Sequence, residues 1–368
     1  MPDAAPYAVV TGGGTSGHVI PALAVAEGLV ARGHDAATVH YWGCRRGIET
    51  RLVPETPFPA RYFDVVGLQR SFSRRNIGFV PKMFSARRDA IRAFDASPPR
   101  VVVSVGGYAS MPAVFAARHR GIPIVVVSYD RLPGRASRLA ARKAAACAVA
   151  FPDSPLPRAT LTGAPVRQAI LAVDRDRDRS GARAELGLPD DRFVVAVMGG
   201  SQGSGVLNEA IADLLDRVGD DRGLAIRHAV GERFLAESPA ARDGSDGLLY
   251  QPIGYEARMP LVYAAADLMV ARGGAGTVHE VAVTGTPAVL VPWAGSAEDH
   301  QTLNVRWLSD AGAAVHVPER DVATRGDVID ELRFDEERRI ELVRRAAQHG
   351  EVHRSGALAR LVESVAGS

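Results

Sequence analysis

One local pattern occurs twice in this chain, near the start of each half. "YAVVTGGGTSGHVIPALAVA" covers residues 7–26 and "RFVVAVMGGSQGSGVLNEAI" covers 192–211. Each is an apolar, β-branched run, then a glycine-rich turn, then a helix-forming stretch. A strand that feeds a helix through a glycine loop is the first part of a parallel β-α-β unit. Two such units in 368 residues point to two α/β domains of ordinary size.

The rest of the chain fits that reading. In the first half, 37–42, 100–105, 122–128 and 146–151 are strand-like, and 21–33, 84–95, 111–120 and 135–145 are helix-like. In the second half, strands are expected near 225–229, 267–271, 287–291 and 313–317. The alternation predicts Rossmann-like domains with parallel sheets, the ligand lying in a cleft between them. The expected domains are 1–167 and 168–368, with the hinge near Arg167 to Asp174 and a helical segment over 334–366 that packs back on the first domain. The charged stretch 173–192 reads as a solvated linker or a helix start.

Composition narrows the class. The chain is 46% hydrophobic and 23% charged, so it can bury real cores. A net charge of +2 gives no general argument for nucleic acid. Cys44 and Cys147 are more easily read as packed thiols than as a disulfide or metal site. The N-terminus lacks the basic start and apolar core of a signal peptide, and no run reaches the length of a membrane span. A cytoplasmic protein is expected.

The first glycine loop, with Gly12, Gly14 and Gly17, satisfies G-x-G-x-x-G. A dinucleotide site also needs an acidic residue at the tip of the second strand. Here Arg45 and Arg46 stand there, which leaves open a 2′-phosphate, and His18 would sit at the pocket mouth. The other reading is a phosphate-bearing ligand of a different kind. Glycines let backbone N–H groups approach an anion, and a helix start adds partial positive charge. A third glycine turn, "ARGGAGTVHE" at 271–280, also opens a helix. Three such turns suit a diphosphate better than three empty βα turns. In the third, Thr277 falls in the first helical turn and Glu280 three residues on, either holding a ribose or closing a T-x-x-E capping box. His300, Gln301 and Asn304 in "SAEDHQTLN" suit sugar hydroxyls.

Together these segments resemble the MurG family of GT-B glycosyltransferases. The matching pieces are 13–26, "SVGGYASMPAVFAA" at 104–117, "GAPVR" at 163–167, 199–211, "YAAAD" at 263–267, "GAGTVHE" at 274–280 and "EDHQTLN" at 298–304. The resemblance implies inverting transfer of N-acetylglucosamine from UDP-N-acetylglucosamine to undecaprenyl-diphosphate-linked muramyl-pentapeptide, in peptidoglycan precursor synthesis. It implies donor binding by Arg167, Ser201, Gln202, Gly203, Ala275, Gly276, Thr277, Glu280, His300, Gln301 and Asn304. Thr15, Ser16, Gly17, Gly106, Gly107 and Tyr108 would contact the acceptor or the sugar, and His18 is the candidate base, or a substrate hydrogen-bonder only. No cofactor or metal is expected, because helix starts and Arg167 can neutralise the diphosphate, and the sequence is read as showing no Asp-x-Asp motif to suggest a metal-bound donor.

One segment departs from the family pattern. Where the family carries His-Glu-x-Asn, this chain has Ser128, Tyr129 and Arg131, so that Arg131 is a candidate phosphate ligand and Asp130 a candidate carboxylate. A lipid acceptor also needs a docking surface. Residues 69–92 interleave seven basic residues (Arg70, Arg74, Arg75, Lys82, Arg87, Arg88, Arg92) with Phe72, Ile77, Phe79, Val80, Met83 and Phe84. That pattern suits peripheral binding to an anionic inner membrane face, or else an ordinary core-lining loop. No nucleic-acid partner is expected. Competing functions are a GT-B transferase with another acceptor, a UDP-N-acetylglucosamine 2-epimerase type of enzyme, and a non-catalytic nucleotide-sugar binder.

Overall fold

The computed structural model describes residues 5–66, 79–245, 247–322 and 327–367. The chain divides into two compact units, 1–168 with 352–368, and 169–351.

The first unit is built on seven strands: β1 (Ala8–Thr11), β2 (Val39–Cys44), β3 (Ala60–Phe63), β4 (Val101–Ser104), β5 (Ile124–Ser128), β6 (Ala146–Val149) and β7 (Ala159–Leu161). They form one sheet in the order β3-β2-β1-β4-β5-β6-β7, and every pairing is parallel. The central strands are buried along their whole length, as continuous apolar runs in a doubly covered parallel sheet should be. Helices α1 (Ser16–Val30), α2 (Glu49–Leu52), α3 (Phe79–Ala96), α4 (Met111–Arg120) and α5 (Arg135–Ala141) connect them. α1 buries Val19, Pro21, Ala22, Leu23, Ala24, Val25, Ala26 and Leu29, so its alanine-rich sequence is that of a helix enclosed on most sides. The strand-like stretches of the sequence are strands here; β3 and β7, short and mostly exposed, leave no such signal.

The second unit opens with α6 (Gln168–Leu171) and α7 (Arg175–Leu186). Its strands are β8 (Phe193–Met198), β9 (Leu224–Ala229), β10 (Arg242–Asp243), β11 (Leu249–Ile253), β12 (Leu268–Arg272), β13 (Ala288–Val291) and β14 (Val315–His316). The order is β10-β11-β9-β8-β12-β13-β14, parallel except for the antiparallel edge strand β10. α8 (Gly205–Val218), α9 (Met259–Ala265), α10 (Ala275–Thr284), α11 (His300–Ser309), α12 (Val328–Phe334) and α13 (Glu336–Arg354) cover it. α14 (Ala357–Gly367) belongs to the first unit, where it packs on α1 and where Glu363 takes Arg32 at 2.8 Å and His34 at 3.1 Å.

The charged stretch 173–192 is a helix start rather than a solvated linker. Asp174 caps α7, and Arg183 on its inner face has no exposed surface. Arg183 donates to the carbonyls of Ala265, Pro189, Asp190 and Arg192 and to the Asp267 carboxylate at 2.7 Å. One guanidinium thereby satisfies a cluster of loop carbonyls that would otherwise be buried unpaired.

In each sheet the strand order reverses once, between β1 and β4 and between β8 and β12. Ligands of open parallel sheets bind beyond the carboxyl ends of the strands at such switch points. The loops leaving β1 and β4 hold 12–15 and 105–107; those leaving β8 and β12 hold 199–204 and 273–274.

Candidate active site

In the first unit, β1 ends at Thr11 and the chain turns through the three glycines into α1, whose N-cap is Thr15. The loop is held from behind. Tyr41 donates to the Gly12 carbonyl, and the Gly14 N–H donates to the buried Glu49 carboxylate at 3.0 Å. One of the amides expected to reach a phosphate therefore serves the protein's own anion. The His18 N–H already donates to the Thr15 carbonyl at 3.0 Å, so Ser16 and Gly17 at the start of α1 supply the amides left to an anion, as the first N–H groups of a helix lack intrahelical partners.

His18 lies in that first turn. Its Nδ1 is 3.0 Å from Thr15 Oγ1, and its Nε2 lies on the Gly106 side, 3.6 Å from where a Cβ on Gly106 would stand. The loop after β4 packs on the ring: a Cβ added to Gly106 would lie 3.3 Å from His18 Cδ2, and one added to Gly107 would lie 3.4 Å from Cγ. Burial lowers the His18 pKa, while the charges of Asp130 and Glu49 act in the opposite direction. A lowered value keeps the imidazole neutral near pH 7, the form a base needs. Tyr108 packs beside Gly14, its hydroxyl 3.7 Å from the Cys44 thiol. Cys44 and Cys147 are both buried and free, and burial pushes each up to about 11, so neither is a thiolate near neutrality.

In the second unit, Ser201 and Gln202 are exposed on the loop after β8, with Gly203 partly buried. Ser204 caps α8, its hydroxyl accepting from Leu207 N–H. The Gln202 carbonyl takes Arg233 Nε at 3.0 Å. The loop after β12 enters α10 with Gly274 as its N-cap. Thr277 is thus the third residue of the helix, and a capping box with Glu280 does not form. Glu280 instead receives the hydroxyl of Tyr263 at 2.8 Å and keeps partial exposure. The Gln301 carbonyl oxygen of the backbone lies against Gly273, so Gln301 flanks this loop. Its side-chain oxygen accepts from Trp293 N–H at 2.9 Å, which leaves the amide NH2 to donate. His300 Nδ1 donates to the Ala297 carbonyl at 2.8 Å.

Comparison with known proteins agrees with this geometry. Residues 8–149 match the glycosyltransferase family 28 N-terminal domain and 194–355 the family 28 C-terminal domain. A Nocardia farcinica protein named UDP-N-acetylglucosamine–N-acetylmuramyl-(pentapeptide) pyrophosphoryl-undecaprenol N-acetylglucosamine transferase is 38% identical over 368 residues, 97% of this chain and 95% of its own. The Mycolicibacterium vanbaalenii protein of the same name is 40% identical over 317 residues, 85% of this chain and 78% of its own. The crystal structure of Acinetobacter baumannii MurG superposes with a TM-score of 0.69 at 26% identity, covering 98% of this chain and 99% of that one. The chain belongs to the MurG family. It is a glycosyltransferase of GT-B fold, and its sheets share that fold with a glycosyltransferase of kitacinnamycin at a TM-score of 0.65 and 18% identity.

Some expected MurG contacts are engaged otherwise in this chain. Arg167 belongs to the first unit, and its guanidinium pairs with Glu27 of α1 at 2.6 Å. Arg131 pairs with Asp153 at 2.5 Å and lies over the Phe151 ring, which answers its charge within the protein. Asn304 has no exposed surface. Tyr129, where the MurG pattern has Glu, is buried and donates to the Gly17 carbonyl, bracing the first turn of α1. Contrary to the sequence reading, an Asp-x-Asp spacing does occur, at Asp174/Asp176 and Asp176/Asp178, but Asp174 caps α7 and Asp178 pairs with Arg177. Among the described residues no group of three or more His, Cys, Asp or Glu is placed to hold a metal ion.

Two further residues lie inside the glycine motifs without a sequence signal of their own. Asn208 on α8 and Arg272 at the end of β12 each carry a buried polar atom, Oδ1 and Nη1, with no partner among the described residues. Arg272 is otherwise paired with Glu319. A buried polar atom at the rim of a binding loop is commonly satisfied by ligand or water.

Proposed function

We propose that this chain transfers N-acetylglucosamine from UDP-N-acetylglucosamine to the muramyl C4 hydroxyl of undecaprenyl-diphosphate-linked muramyl-pentapeptide, with inversion at the sugar C1. The observation that carries the reading is the near full-length relationship to the Nocardia farcinica transferase, with the family motifs at the strand ends of both switch points.

The second unit takes the donor. The starts of α8 and α10 face the diphosphate, with Ser201, Gln202 and Gly203 on one loop and Ala275, Gly276 and Thr277 on the other. Glu280, held by Tyr263, accepts from the ribose hydroxyls; Gln301 and His300 read the sugar, and Asn304 positions them from within. Asn208 and Arg272 join this set. Arg167 adds a cation once its Glu27 partner shares it. The first unit takes the acceptor between Thr15, Ser16 and Gly17 on one loop and Gly106, Gly107 and Tyr108 on the other. The neutral His18 removes the proton of the attacking hydroxyl through Nε2 as the C1–O bond to UDP breaks. Helix N-termini stabilise the departing diphosphate without a metal.

The acceptor is lipid-linked, so the enzyme works on the inner membrane face. α3 supports this reading: Val80 and Phe84 are exposed, and Val80, Met83, Phe84, Arg87, Phe115, Arg118 and His119 line a cavity of about 590 Å³. Arg70, Phe72, Arg74, Arg75 and Ile77 of the same candidate patch lie outside the described residues. No helix among the described residues is long and apolar enough to cross a membrane. The replaced 128–131 segment favours one second reading, a transferase of the same class acting on another lipid acceptor.

The test is UDP formation from UDP-N-acetylglucosamine with and without the lipid-linked muramyl-pentapeptide. Acceptor-dependent UDP and a β-linked disaccharide-lipid are expected. UDP without acceptor contradicts the proposal, and donor binding with no transfer to this acceptor favours the second reading.

A further inference from the structure

Glu49 is the one carboxylate in the first unit with no exposed surface at all among the described residues. It sits at the start of α2, 35 residues from the glycine loop in sequence, yet its oxygens are spent there. Oε1 accepts from Gly14 N–H at 3.0 Å, from Cys44 N–H at 3.1 Å and from the Cys44 thiol at 2.9 Å; Oε2 lies 3.3 Å from Gly14 N. Two glycines make room for it: a Cβ on Gly13 would lie 2.4 Å from Oε1, and one on Gly47 would lie 2.2 Å from Oε2. The carboxylate thus ties the end of β2 to the loop that delivers His18. Burying a charge this completely costs several kcal/mol unless its hydrogen bonds are made. A chain that only needed to close the β1–α1 turn could do so with a neutral side chain.

We propose that Glu49 is a positioning residue for the transfer reaction: its buried carboxylate fixes the glycine loop and, through it, the imidazole of His18. The inference rests on the reading of His18 as base. The imidazole is faced by Thr15 from α1, by the Gly106–Gly107 backbone after β4, and by the charge of Asp130 after β5, with Glu49 reaching the loop from α2. Of these, Asp130 and Glu49 are the negative charges, and both raise the basicity of an imidazole that burial lowers. Removal of the Glu49 charge therefore makes His18 a weaker base and loosens its support at the same time.

The experiment compares wild type with Glu49→Gln, Glu49→Asp and His18→Ala. The readouts are the His18 imidazole titration by NMR, pH profiles of acceptor-dependent kcat/KM, KM for UDP-N-acetylglucosamine, and Tm. In Glu49→Gln the His18 titration and the acid limb of the profile move together to lower pH, by about half a unit or more. Its kcat falls on the order of 10- to 100-fold, as for a misplaced reacting group. Donor KM stays within about twofold, since the donor motifs lie on the other unit. Glu49→Asp keeps the charge but shortens the reach, so kcat falls while the acid limb stays. An unmoved His18 titration in a folded Glu49→Gln protein overturns the proposal, as does a loss of kcat that follows Tm alone. Should Glu49→Gln not fold, wild-type kcat in Glu49→Asp overturns it equally. A His18→Ala enzyme with the wild-type rate would instead refute the base assignment, and the NMR titration would still judge the link between Glu49 and His18.

Discussion

Gly107 offers a sharp test of how the first unit holds the loop that carries His18. Its φ of +75° and ψ of 160° lie in a region that only glycine occupies readily. A Cβ there would stand 2.7 Å from the Gly13 carbonyl oxygen, a backbone atom that cannot rotate aside. Alanine at 107 therefore adds two costs. The backbone strain is about 1–3 kcal/mol. Relief of the clash must displace the glycine loop by a few tenths of an ångström, and a displacement approaching 1 Å costs up to about 10²-fold in rate. We expect Gly107→Ala to lower Tm by about 4–10 °C and kcat by about tenfold or more. Gly121 is the control. It caps α4 at φ +69°, and a Cβ added there would meet nothing within 4 Å, so alanine brings strain without a clash. Gly121→Ala should lose about 2–5 °C in Tm and keep kcat within about twofold. The assay is steady-state UDP release at about 25 °C, where both variants remain folded, beside thermal melts of each. Full kcat in Gly107→Ala, or an equal loss in Gly121→Ala, would refute the reasoning.

Three further outcomes are expected. Arg183→Leu should destabilise the second unit by about 3–5 kcal/mol, because it strips a buried partner from Asp267 and four loop carbonyls; denaturant melts measure this. Burial drives His228 from 6.5 down to about 4, so the unfolded chain binds the extra proton and stability falls as pH drops from 6.5 toward 4. That is worth up to about 3 kcal/mol, and His228→Gln should flatten the pH dependence of unfolding over that window. Phe84→Glu should weaken binding to anionic vesicles while turnover of a water-soluble acceptor analogue is kept, because Phe84 is 59% exposed and outside the core.

The fold was legible where physics is local. Buried parallel strands are continuous β-branched runs, and glycine turns between strand and helix leave a readable trace, so two parallel-sheet domains followed from two repeated segments. β11 escaped because "LYQPI" carries Gln and Pro and is only half apolar. Arg183 escaped because "DRDRDRSGAR" reads as a solvated face, and nothing local says that one guanidinium in it will serve carbonyls from α9 and the loop before β8. The site shows the same division. His18, Thr277 and Glu280 announce themselves by neighbouring glycines. Glu49 does not, since its partners lie at Gly14 and at the end of β2. The capping-box alternative for T-x-x-E fails because such a box depends on where the helix begins, and α10 begins at Ala275, two residues before Thr277. Arg131 looked available for phosphate because sequence shows the charge and not Asp153 beside it.

The proposed transfer depends on His18 as the base at the start of α1. The most direct measurement is acceptor-dependent UDP release at saturating substrates for wild type and His18→Ala, with UDP-N-acetylglucosamine binding followed in parallel. A kcat lower by about 10²-fold or more is expected in His18→Ala, with donor affinity unchanged. A His18→Ala enzyme that turns over at the wild-type rate would contradict it.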